Sequence, residues 1–401
     1  MRTILHKKTF ACFIFCIAYF FSLHNCASKS NIITGSDELN HSMKLTVGVF
    51  QDERIEKLNS DDVREILQES LNMLEKKFGH ISISFEIIKE GNLEDFFTEA
   101  RQKYPRFNGW ISKTYLLMNS NEESWQKTFE KRKPQIIRFL KENWELQDLN
   151  NYYKAKNYEH FTDKLIETYI EKLKKLKTYK MKNQENLFSK NPYLHSYKAW
   201  EKLMEYQDSY DIILTNTILV YDDFLKPYPH VVFKHAKVSG GSFESPYREG
   251  FLAGVSSFSS VFELYSQEPY FLGEKTANIA SLTKEFMNKA IGGYLMAHEL
   301  GHQIFWIPDV YNHPAGCLMD TKIENLEIGD GYNQLLKGYP VCLECQKYVR
   351  ARNELFAGQK ELKKGDKEKA RLHIIKGLKM LPERLDRDRD EIESYFMRQL
   401  N

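Results

Sequence analysis

The chain has no surplus of charge of either sign. It carries 57 Lys and Arg against 55 Asp and Glu, a formal net charge of +2, so it lacks the basic field by which a nucleic-acid partner is held. Cysteine is scarce too. Of the six, Cys12 and Cys16 fall in the N-terminal apolar segment and Cys26 just after it. That leaves Cys317, Cys342 and Cys345, an odd number that cannot all pair internally. The chain also lacks a comfortable membrane span at its start, because the run from Thr9 to Leu23 covers about fifteen residues where a bilayer core takes about twenty. What it does have is apolar material for a sizeable core, 42% of 401 residues, and more than one average domain's length.

Arg2, His6, Lys7 and Lys8 give that apolar run a basic start, so residues 1–26 read as a targeting segment outside the fold. The run ends in Ser22-Leu23-His24-Asn25-Cys26, which resembles a bacterial lipoprotein signal with Cys26 as the lipidated residue. His24 and Asn25 depart from the usual small residues, a relaxation typical of spirochaete lipoproteins. The resemblance implies a lipid anchor in the bacterial cell envelope, at the outer-membrane surface or on a periplasmic face. In the alternative, an ordinary secretory signal, Cys26 is incidental. Residues 27–43 are polar and read as a tether.

Leu45 to Phe50 reads as a first strand. Asp61 is placed to cap a helix from Asp62 to Phe78, with Val63, Ile66, Leu67, Leu71 and Leu74 as its apolar stripe. Ile81 to Ile88 predicts a second strand and Leu93 to Tyr104 a short helix. Residues 105–207, rich in Lys, Glu, Asn, Tyr and Trp, predict a helical insertion whose charge runs are solvated faces. Strands are predicted at 210–215, 231–233 and 251–258, with a Gly/Ser-rich connection around Gly240 and Gly241. A loop over 263–281 then leads into a helix starting near Leu282. After Gln346 the pattern is helical to the end, a hairpin with a Gly365-Asp366 turn that looks like a single tetratricopeptide-type unit. One such unit is too few for a solenoid, so it reads as a C-terminal helical pair packed on the preceding domain.

The stretch with chemistry in it is His298-Glu299-Leu300-Gly301-His302. Helical residues four apart lie one above the other, so His298 and His302 present two imidazoles from one face, as zinc requires. Glu299 is then placed to take a proton from a water on the metal. Ala290, Ile291, Tyr294, Leu295, Ala297, Ile304 and Phe305 give the flanks of a buried helix. Two histidines four apart can also simply form a polar face.

The order of strand, helix, strands, a Gly-rich edge and an HExxH helix resembles the metzincin clan of zinc peptidases. The resemblance covers roughly residues 45–104 and 208–347. In that clan a Gly ends the catalytic helix, a third ligand follows six residues after the second His, and a turn centred on Met underlies the metal. Gly316-Cys317-Leu318-Met319-Asp320 supplies the turn, with Met319 at its centre. Cys317-x-Met319 with the later Cys342-x-x-Cys345 is similar in particular to archaemetzincins. Two positions depart from the pattern: Phe305 stands where the clan has Gly, and Pro308 where it has the third ligand. Asp309 is the favoured replacement and His313 the other candidate.

The resemblance thus implies an α+β fold: a metzincin-like zinc peptidase domain over 44–347, built of a twisted mixed sheet and the HExxH helix. To this are added the helical insertion 105–207 and the C-terminal helical hairpin 348–401. It implies a peptide or protein substrate, Zn(2+) as cofactor and a substrate-binding edge strand at 251–258. It also implies a second, structural zinc on His313, Cys317, Cys342 and Cys345, with His313 in place of a missing family cysteine. A reduced or disulfide-bonded pair at 342 and 345 is the equal alternative. Two other functions stay open: a thermolysin-like site with Glu324 or Glu327 as third ligand, and a non-catalytic surface lipoprotein with a vestigial site.

Overall fold

The computed structural model describes residues 41–78, 81–103, 119–143, 145–150, 154–178, 186, 191–196, 199–200, 202–203, 209–217, 219–220, 237–238, 240–244, 254–259, 283, 285, 288–308, 317–319, 342–385 and 388–400. The signal with Cys26 and most of the tether lie outside these residues. So do the strand expected at 231–233 and the helix start expected at Leu282.

The first strand, β1 (His41–Gln51), turns alternate side chains to opposite faces, with one register irregularity against its neighbour between Val47 and Gly48. Leu45, Val47 and Val49 enter one core, while Phe50 enters another on the opposite face, as the two-residue period of a strand dictates. Helix α1 (Ser60–Phe78) follows. Its cap is Asn59, not Asp61. Asn59 Oδ1 accepts from the Asp62 backbone N–H at 2.9 Å, and Asp62 Oδ2 accepts from the Asn59 N–H at 2.8 Å. This reciprocal box satisfies two N–H groups that the helix leaves open. Strand β2 (Ile81–Asn92) runs directly into α2 (Leu93–Lys103).

Two long helices, α3 (Glu122–Asn143) and α4 (Tyr158–Thr178), occupy the insertion. They enclose a small core of Ile136, Leu140, Leu149, Phe161 and Leu165. Lys174 pairs with Glu122 at 2.5 Å, so the C-terminal part of α4 lies beside the start of α3 and the two run antiparallel. Strand β3 (Ile212–Thr215) then returns to the sheet. A clamp closes the insertion at its base: Thr46 N–H and Oγ1 both donate to Asp211 Oδ2, at 2.8 and 2.7 Å, and Asp211 N–H donates to Thr46 O at 2.9 Å.

The remaining strands are β4 (Leu219–Val220), β5 (Lys237–Val238), β6 (Gly240–Glu244) and β7 (Gly254–Ser259). β4 and β5 form a separate antiparallel pair. The main sheet has the order β2-β1-β3-β7-β6, parallel except for β6, which pairs antiparallel with β7. The segment expected as the edge, 251–258, is therefore interior, because β7 lies between β3 and β6. The edge is Gly240–Glu244, expected as a connection. Two glycines weaken the local strand signal, and pairing with β7 overrides it.

Helix α5 (Tyr294–Phe305), entered through a π-turn over Asn288–Gly293, carries the HExxH residues. It packs with α1 on the face of the sheet that presents Leu45, Val47, Val49, Ile212 and Leu214. The other face is covered by Phe96, Phe97, Tyr193 and Trp200. The C-terminal part has three helices rather than a pair: α6 (Leu343–Lys364), α7 (Lys367–Met380) and α8 (Arg389–Leu400). Gly365 makes the α6–α7 turn with φ 85 and Asp366 caps α7, which is the left-handed stop that glycine suits. A boundary at 347 falls inside α6. Cys345, Tyr348, Val349 and Phe356 belong to the sheet core, whereas Ala351 and Leu355 pack with α7 and α8. One helix thus joins the two halves.

Candidate metal centres

Every residue of α5 from Tyr294 to Phe305 is buried. His298, Glu299 and His302 are only 8%, 8% and 5% exposed. Such polar side chains persist in a core only when they are satisfied. His298 Nδ1 lies 2.8 Å from the Leu318 carbonyl oxygen, and His302 Nδ1 makes a short contact with the Ile307 carbonyl. A carbonyl only accepts, so both Nδ1 atoms carry the proton. Nε2 is then the nitrogen that each ring turns toward the other, the two standing 3.1 Å apart. A metal ion or a proton between them reconciles two ring nitrogens at that distance. Two nitrogen ligands on one tetrahedral zinc stand about 3.3 Å apart, so the separation fits a shared metal. The Nδ1–carbonyl bonds are of the kind that fix the tautomer of metal-bound histidines.

Helix α5 does not reach Pro308. It stops at Phe305, and Trp306 takes the left-handed conformation, φ 57 and ψ 32, with its N–H on His302 O at 3.0 Å. A bulky residue there carries strain of about 1 kcal/mol or more. The turn brings the Ile307 carbonyl back to His302.

Below the helix lies Met319, fully buried. A Cβ added at Gly301 would stand 2.5 Å from Met319 Sδ, so a glycine between the two histidines lets the methionine approach. Among the sequence candidates, His298, His302 and Met319 come together, with Glu299 on the same buried helix. Asp309, His313, Glu324 and Glu327, all candidate ligands, lie outside the described residues.

The second group is Cys317, Cys342 and Cys345, whose Sγ atoms all lie within 4.8 Å of one another. These three thiols can hold a metal ion. Cys317 and Cys345 Sγ are 3.6 Å apart, close to the roughly 3.8 Å between two thiolates on one tetrahedral zinc and far from a bonded 2.05 Å. None of the three is in a disulfide, so the bonded pair expected as an alternative at 342 and 345 is not formed in this structure. Cys342 caps α6, its Sγ accepting from the Cys345 N–H at 3.4 Å. Hydrogen bonding with Cys317, then with Cys342, and burial behind these push the Cys345 thiol far above its ordinary range. Three crowded thiols cannot share negative charge unless a cation joins them, and a bound metal reverses that balance.

Sequence reasoning missed the parts that aim the histidines: the Leu318 and Ile307 carbonyls, Trp306, and Arg352 against it. Arg352 was legible in principle. Cys345, Tyr348, Val349, Arg352, Leu355 and Phe356, all buried, form one stripe at three- and four-residue spacing.

No protein-family model, curated protein or solved structure matches this chain.

Proposed function

We propose that this chain is a zinc-dependent peptidase of metzincin-like, archaemetzincin-related design, anchored to a bacterial envelope membrane through lipid on Cys26. In this reading His298, His302 and Asp309 hold the catalytic zinc, with His313 as the other third-ligand candidate. Cys317, Cys342 and Cys345, completed by His313, hold a structural zinc. The observation that carries the reading is the facing pair of Nε2 atoms at 3.1 Å, with both Nδ1 atoms committed to carbonyls. The Gly-rich antiparallel edge β6 and the approach of Met319 to Gly301 add to it.

When bound, the ion supplies Lewis acidity and a water acidified toward a pKa of about 7. Glu299 follows His298 on the same buried helix. Its carboxylate accepts the proton of the attacking water and returns it to the leaving amine. Strand β6 pairs with β7 on one side, and its other edge meets no strand among the described residues. That edge offers main-chain groups to an extended peptide, which supports polypeptide as the substrate class. No described helix is long and apolar enough to cross a membrane.

The test combines metal analysis with digestion of a peptide library. Wild-type protein should bind zinc and cleave peptides. Glu299→Gln should keep the zinc and lose turnover by about 10²- to 10⁴-fold, the usual worth of general acid–base catalysis. Undiminished cleavage in that variant, or zinc uptake unchanged by His298→Ala, would sink the reading.

A further inference from the structure

Helix α6 reaches both supports of the histidine pair from two points, Cys345 and Arg352, two helical turns apart. At the first, Cys345 Sγ lies 3.6 Å from Cys317 Sγ, next to Leu318, whose carbonyl meets His298 Nδ1. At the second, Arg352 is fully buried, 0% exposed. A guanidinium is costly to bury unless its surroundings use its charge and its donors. Arg352 Nε donates to the Ile304 carbonyl at 2.6 Å, in the last turn of α5, where carbonyls lack helical partners and the helix dipole favours a cation. Its guanidinium carbon sits 3.3 Å from the centroid of the Trp306 ring and 4.8 Å from that of Phe356. Trp306 is the left-handed residue that ends α5, and the next carbonyl along the chain, that of Ile307, holds His302 Nδ1.

We propose that Arg352 is a positioning residue for His302: by bonding Ile304 and stacking on Trp306 it fixes the turn that delivers the Ile307 carbonyl to the His302 ring. The proposal rests on the reading of the histidine pair as a metal centre. Charge, donor and planar face all contribute. The donor holds the helix end, and the flat guanidinium lies against the indole as a compact ammonium cannot.

The test uses the full chain and three variants: Arg352→Met, Arg352→Lys and Leu355→Ala. Leu355→Ala opens a cavity in the core that also holds Trp306 but keeps the guanidinium, and so serves as the measure of mere destabilisation. Zinc affinity of the histidine centre is read by chelator competition, taking as that centre's ion the one lost in His298→Ala. The visible spectrum of the cobalt(II) form reports ligand geometry independently of activity. Arg352→Met should lower zinc affinity about 10- to 100-fold, the range for residues that orient metal ligands, and should alter the cobalt spectrum. Arg352→Lys should recover part of the loss, and Leu355→Ala should lower the melting temperature while leaving affinity and spectrum as in wild type. Affinity within about twofold of wild type in Arg352→Met, or an equal fall in Leu355→Ala, would overturn the proposal. If Arg352→Met does not fold, Arg352→Lys against Leu355→Ala decides by the same criterion. If wild-type protein has no ion sensitive to His298→Ala, it is the metal-centre reading that fails, and the positioning role falls with it.

Discussion

The two candidate centres are assembled in different ways. The histidines stand four apart on one buried helix, so helical geometry alone puts them on the same face, and neighbouring carbonyls then turn their rings. The cysteines join a two-thiol knuckle at the start of α6 to Cys317, 28 residues earlier in the chain. The first centre is local and aimed. The second is a tertiary contact and exists only where two segments meet. They share Cys317-Leu318-Met319: the thiol of the first residue joins the sulfur group, the carbonyl of the second orients His298, and the third packs under Gly301. The difference teaches which losses should be chemical and which should be structural.

Cys342→Ser tests that division most severely. Among the described groups the cysteines tie α6 to the segment under the HExxH helix, so if they hold an ion its loss should lower stability. The expected fall is about 4 kcal/mol, what a ligand at roughly a thousandfold its Kd provides. Zinc content should drop from two ions per chain to one, measured by metal analysis, with the melting temperature read alongside. One ion in both wild type and variant, with equal melting temperatures, would show that the sulfur group holds no structural metal. Gly301→Ala is the intermediate case. Its Cβ would stand 2.5 Å from Met319 Sδ, an overpacking worth about 1–3 kcal/mol. Pushing Met319 away should also loosen the Leu318 carbonyl from His298. Chelator titration should therefore show weaker binding at the histidines and unchanged binding at the cysteines, and the reverse order would break the comparison.

The smallest effect is expected at Glu354, on α6 but facing α7. Burial favours its neutral form, yet hydrogen bonds from Lys376 and then His373 outweigh burial and hold its carboxyl below the ordinary 4.5. A depressed carboxyl stabilises the fold above its unfolded pKa, and that contribution is lost as pH falls through the lower, folded value. Glu354→Gln should cost under about 1 kcal/mol at neutral pH. Its melting temperature should converge on that of wild type as pH falls below 4.5 and through the folded value, with both centres unaffected. A change in zinc affinity would mean that α6 transmits strain along its whole length.

How far the sequence could be read follows from where each signal lies. α1, β2 and α2 fall within a few residues of their expected spans, because their periods of 3.6 and 2 are carried by contiguous apolar residues. The HExxH and C-x-x-C motifs were visible for the same reason. Gly240–Glu244 was not, since its strand character comes from β7 and not from its own residues. Nor was the end of α5. Pro308 is the local stop signal, but the helix ends three residues earlier at Phe305, before a left-handed Trp306 that Arg352, 46 positions further on, holds in place. Asp61 looked like the cap because Ser60 and Asp61 both suit a helix start, and only the reciprocal bonds select Asn59.

The Thr46–Asp211 clamp has a consequence for how the chain folds. It joins residues 165 apart, and β3 cannot take its place beside β1 until the whole insertion has been synthesised. During that interval β1 and β2 wait with an open flank, and long-range pairing of this kind is slow to form. The equilibrium penalty is mild by contrast, because closing a loop costs only about 0.6 kcal/mol more for each doubling of its length. The insertion can thus vary in length over evolution with little thermodynamic consequence, while its length sets the time for which the first two strands stay exposed.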